Sequence, residues 1–243
     1  MPWTEEFYAW LCTFDLDDDE NQSAVGDDEL DDDPNDRVSQ AVARFIPENT
    51  EMLVSLLREA DPLVRRRGLF ICEWLFEKSF GALDAALEFV YDPDCWARKA
   101  LMQVVLNNAD QLSPGQAAEV LKLATDPDEL IRGNVTAYIG GVDIETIRGA
   151  VNMVAEPLRS EFERGFELFE ADPSTAQTLF DHALTEVSVE STFALASIQR
   201  MARLGQLSSA PQHGGEGYLG ESVQRNTARL IRRAMGRHRE RRA

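Results

Sequence analysis

Three histidines, three cysteines and a dense run of carboxylates are the residues of this 243-residue chain whose types and spacing could do chemistry. His182, His213 and His238 stand apart from one another and from Cys12, Cys72 and Cys95. No set of them has the short spacings that a zinc ion needs. Asp15-x-Asp17-x-Asp19 opens like a calcium loop, but the sixth position is Glu20 where Gly is needed and the twelfth is Gly26 where Glu is needed. Gly214-Gly215-Glu216-Gly217 lacks the preceding strand and the following Lys of a phosphate-binding loop. His213 has no nearby nucleophile, and His182 sits in the apolar context Phe180-Asp181-His182-Ala183-Leu184, which suits a helix surface or core position. With 43 Asp and Glu in the chain, neighbouring carboxylates carry no information about catalysis. The expectation is no catalytic residue, no metal and no cofactor.

Charge says more. The net charge is −19, which disfavours phosphate binding by the main body and favours steering toward a basic partner. A proteome-wide acidic bias is the other reading, and three Lys against twenty-one Arg fit a GC-rich source. The cysteines lie among apolar neighbours and form no CxxC, so they read as small buried residues in a reducing, cytoplasmic setting. MPWTEEFYAW has no basic region ahead of an apolar run, so no signal peptide is expected. No apolar run approaches the length of a spanning helix, so no membrane partner is expected either.

The elements that must position these groups are helices. Residues 1–14 carry Trp3, Phe7, Trp10, Leu11 and Phe14 at helical spacing and read as a capping helix. Residues 15–36 hold twelve Asp or Glu and no basic residue, so they read as an acidic flexible loop. Residues 37–204 show alternating helix starts and apolar stripes. Asp61 opens a helix expected to reach about Lys78. Ser113-Pro114 caps 115–125, and Asp143 caps 144–154. Pro157–Glu170 buries Leu158, Phe162, Phe166 and Phe169. Residues 205–220 read as a linker. Residues 221–243 invert the charge, with eight Arg against two Glu, and form an Arg-rich helix or tail. That tail docks on an acidic surface of its own chain, binds a nucleic acid or acidic membrane, or frays in solvent; all three readings stand.

Within 37–204 one signal recurs. Asp61-Pro62, Asp92-Pro93 and Asp126-Pro127 are each followed by an Arg six positions after the Asp: Arg67, Arg98 and Arg132. Apolar residues follow at nine (Phe70, Leu101, Val135) and thirteen (Trp74, Val105, Ile139). Asp caps a helix and Pro suits its first position, while the interval of four puts both apolar side chains on one face. The Arg can reach back to a capping Asp. The starts are spaced 31 and 34 residues, which suits two short helices and two turns per unit. Weaker starts lie at Asp33-Pro34, Glu156-Pro157 and Ser188-Val189.

The segment DPDELIRGNVTAYIG, Asp126–Gly140, resembles the second-helix signature of HEAT repeats of the short bacterial and archaeal type. Asp126, Pro127, Ile131, Arg132 and Gly140 carry the resemblance. Asp92–Arg98 matches nearly as well, with Leu106 in place of the closing Gly. Asp61–Arg67 departs more, with Arg66 where an apolar residue is usual. The resemblance covers roughly 33–205. It implies an all-α solenoid of five to six antiparallel helix pairs, with second helices lining a concave face that exposes Arg65, Glu73, Glu77, Lys99, Gln103 and Asn107. It is nearly silent on function. Alkylpurine glycosylases built from such repeats need a basic groove, which this charge opposes. Bilin lyases with HEAT-like repeats are compatible with the charge, and no motif points to them.

These observations converge on a non-catalytic protein that binds another, basic protein. Asp17, Asp18, Asp19, Asp31 and Asp32 of the acidic tract, with Glu73, Glu77, Gln103 and Asn107, are the candidate partner-binding residues. An immunity or inhibitor protein that covers a basic nuclease is the concrete version. The alternatives are an adaptor or lyase-like protein acting on a protein-bound cofactor, and nucleic-acid binding through the Arg-rich tail. A solvated acidic loop with no partner remains the plain reading of 15–36.

Overall fold

The computed structural model describes residues 50–183 and 187–206, without the side chains of Trp74, Phe76, Glu77, Lys78, Gln177, Phe180, His182 and Ala183. The expectations for 1–14, 15–36, the first part of 37–204 up to residue 49, nearly all of 205–220 and the tail 221–243 fall outside those residues. Within them every regular element is helical, so the all-α expectation holds there. The described chain falls into two units, divided between Asn108 and Ala109.

The first unit holds α1 (Thr50–Leu57), α2 (Pro62–Leu75), α3 (Leu83–Leu87) and α4 (Cys95–Asn107). α2 stops short of Lys78, and a 3-10 stretch, Phe76–Ala82, follows it. α1 packs on α2 and α3, α3 on α4, and α2 on α4. The core between them is aliphatic: Leu53, Leu56, Val64, Leu69, Ile71, Leu83, Leu101 and Val105 are nearly solvent-free. Polar side chains knit the helix ends. Asn108 Nδ2 donates to Ser79 Oγ at 3.1 Å and to the Val104 carbonyl at 2.8 Å.

The second unit holds α5 (Pro114–Leu121), α6 (Glu129–Gly141), α7 (Ile144–Met153), α8 (Arg159–Phe169), α9 (Ala176–Ala183) and α10 (Val189–Arg203). Local capping explains most of the starts. Ser113 accepts from the Gln116 N–H while the Gln116 side chain accepts from the Ser113 N–H, a reciprocal capping box ahead of Pro114. Asp143 and Ser188 cap α7 and α10 through the N–H groups of Glu145 and Ser191. α5 packs on α7, α7 on α8, and α10 on α6, α8 and α9. Of the four residues expected to form the buried stripe of α8, Phe162, Phe166 and Phe169 are buried. Leu158 is 44 % exposed, because the helix begins at Arg159 and Leu158 is its N-cap.

A uniform repeat step would set the Pro157-started helix against α6. The extensive partner of α6 is instead α10, and α8 packs on α7 and α10. The reason is steric. Gly140, near the end of α6, lets the Ala196 carbonyl of α10 come so close that a Cβ there would sit 3.0 Å from it. Arg200 and Arg203 of α10 then donate to the carbonyls of Val142 and Gly141, capping the C-terminal end of α6.

The recurring signal is real, but its register differs from the one the Asp-Pro pairs suggest. Asp61, Asp94 and Asp128 are the capping residues of α2, α4 and α6, accepting from the N–H groups of Leu63, Trp96 and Leu130 at 2.9–3.0 Å. Asp92 and Asp126 sit one step earlier and accept from the N–H of Asp94 and Asp128. The arginines grip main-chain oxygens of these corners. Arg98 Nη1 donates to the carbonyls of Asp92 and Pro93, and Arg132 Nη1 to those of Asp126 and Pro127. In the first copy Arg65, not Arg67, makes this clamp, onto the carbonyls of Glu59 and Ala60. Asp61 is therefore equivalent to Asp94, and the first copy shifts by two residues. The shift removes the anomaly at Arg66, because Val64 now matches Ala97 and Ile131, all buried. It also moves Phe70 off the buried stripe, where it is only half-buried.

This register predicts opposite results for two neighbouring arginines. Arg65→Ala removes a charged donor from two carbonyls and lowers stability by about 1–2 kcal/mol. Arg67→Met replaces a buried guanidinium and leaves stability unchanged or raised. Urea denaturation at about 0.5 M salt, where long-range pairing is screened, reads both. A loss at Arg67 with none at Arg65 would restore the Asp-Pro register.

Candidate functional site

Counting from the cap, Leu63 and Trp96 occupy the same position on α2 and α4, and Arg66 and Lys99 share another. Helical spacing puts these positions on one outward strip. Leu63 and Trp96 are each 46 % exposed, although large apolar side chains at this exposure form a patch only where neighbours join them. They do join here. Lys99 Nζ lies 4.6 Å from the centroid of the Trp96 ring, and Arg66 Cζ, from the facing helix, lies 5.6 Å from it. Both distances are within cation–π range.

Arg67 is the buried arginine of α2. It lies between the outward Leu63–Phe70 row and the buried Val64–Ile71 row of α2. Its side chain is 6 % exposed, and its Nε and Nη1 have no hydrogen-bond partner. A buried guanidinium in that condition is costly. Arg65 and Arg98 add charge at the N-terminal ends of the two helices, but their guanidinium groups are engaged with main-chain carbonyls.

The residues singled out from sequence are placed unevenly. Asp17, Asp18, Asp19, Asp31 and Asp32 lie outside the described residues, as does the side chain of Glu77. Gln103 is half-buried on α4 and Glu73 half-buried on α2. Asn107, expected on the exposed face, is 4 % exposed, and its amide donates to the Glu73 carbonyl at 2.9 Å. It is a tie between α4 and α2, because the face turns inward toward the end of α4, where Leu106 is 7 % exposed as well. Of the repeat-motif residues, Asp61, Arg98 and Arg132 act as cap or clamp, Asp92 and Asp126 brace the following cap, and Arg67 does neither.

Two features were not singled out beforehand. One is the Leu63–Arg66–Trp96–Lys99 cluster, which the Asp-Pro register hides by misaligning Leu63 and Trp96. The other is α8, whose Glu161, Glu163 and Glu167 are all exposed, as is Glu170 at its C-cap. Arg148 pairs with Glu145 and Glu170, and Arg164 with Glu190, so basic neighbours offset only part of that acidic face. Such exposed pairs are each worth ~0–1 kcal/mol.

Titration shifts trace to burial and capping. Burial pushes the Cys72 thiol up to about 12, so it stays protonated and unreactive. Burial, then the charge of Asp110, raises the Tyr138 hydroxyl. The Ser174 N–H on the Asp172 carboxylate holds that capping group below the usual range. No group of three or more His, Cys, Asp or Glu among the described residues is arranged to hold a metal ion. No described helix is long and apolar enough to cross a membrane.

No protein-family model matches the chain, and no curated protein matches it. Among solved structures it is similar to one described as the crystal structure of an engineered protein from a structural genomics consortium. The two are 14 % identical with a TM-score of 0.44, and the match covers 82 % of this chain and 61 % of the other. The chain thus spans less than two thirds of that structure's length.

Proposed function

We propose that this chain is a non-catalytic HEAT-like α-solenoid that binds a basic protein in the manner of an immunity or inhibitor protein. The observation that carries the reading is charge placement. The tract 15–36 concentrates twelve carboxylates without one basic residue, and α8 displays a further row of exposed glutamates. The thrice-repeated cap and clamp of α2, α4 and α6 supports the repeat character. Carboxylate-rich surfaces steer and hold cationic partners, and that attraction is screened by salt. Cytoplasmic residence fits the buried, unpaired Cys72.

Affinity capture tests it, with the full chain and a chain lacking 15–36 as baits. The full chain is expected to retain a basic protein at low salt and release it as salt rises. The truncated chain retains about tenfold less. Equal recovery by both baits removes the acidic tract from the interface. Recovery of RNA that disappears when 221–243 is deleted would favour nucleic-acid binding through the Arg-rich tail. Capture of a cofactor-bearing protein would favour the adaptor or lyase-like alternative.

A further inference from the structure

We draw no further inference here: the strongest candidate, the row of exposed glutamates Glu161, Glu163 and Glu167 on the outward face of α8, is a cluster of surface carboxylates with no second feature of the structure that points to a ligand.

Discussion

Replacing Phe193 with alanine is expected to remove about 3–5 kcal/mol from the second unit, the largest effect of any single truncation described for this chain. Phe193 has no solvent exposure and sits where α10 crosses α8. Its ring meets Phe162 edge-on with centroids 6.1 Å apart and Phe169 edge-on at 6.3 Å. Each such pair contributes ~0.5–1.5 kcal/mol beyond area burial. Gly165 of α8 lies beneath the ring, where a Cβ would come within 3.0 Å of it. The helices are so close that neither collapses readily into the space Phe193 leaves. Against a total stability of ~5–15 kcal/mol, the variant should be partly unfolded at 37 °C. Urea melts should show a lower midpoint with an unchanged slope. A loss below ~1 kcal/mol would mean that α8 and α10 are not packed through this ring.

The second large effect is at Gly140, and its neighbour provides the control. A Cβ at Gly140 would stand 3.0 Å from the Ala196 carbonyl, a main-chain atom that moves only with α10. Valine there forces the two helices apart and weakens the Arg200 and Arg203 donations to Val142 and Gly141. The expected cost is about 2–4 kcal/mol. At Gly141 a Cβ meets nothing within 4 Å, so Gly141→Ala is expected to be neutral or stabilising by up to ~1 kcal/mol. Thermal melts of both variants check the contrast. Similar losses at the two positions would contradict the close approach of α6 and α10.

The sequence made the helix starts legible because capping is local. Ser113-Pro114-Gly115-Gln116 declares a helix within four residues, and so does an Asp followed two residues on by an N–H to accept. Register was legible only in part. Asp-Pro in the second and third copies marks the brace before the cap, while Asp-Pro in the first marks the cap itself, and the letters do not reveal which. Helix neighbours were the least legible. Whether α8 or α10 faces α6 depends on Gly140 and Gly165 meeting a carbonyl and a ring far along the chain. The candidate face inherited the register error. Lys99 was recognised and Trp96 was not, and Asn107 was taken for a surface residue because nothing local shows that its amide meets the Glu73 carbonyl. Arg67 looked like the clamp by position, and only packing shows that Arg65 holds that role and leaves Arg67 buried.

The arginine clamps grip main-chain oxygens, at Glu59-Ala60 in one copy, Asp92-Pro93 in the next and Asp126-Pro127 in the third. Every residue type offers the same oxygen, so the clamp constrains the corner letters little, whereas it needs the Arg four places after the capping Asp. A helix start of this kind can therefore lose its Asp-Pro dipeptide and keep its cap and clamp. A search keyed to the Asp-to-Arg interval should recover kin that one keyed to the dipeptide overlooks.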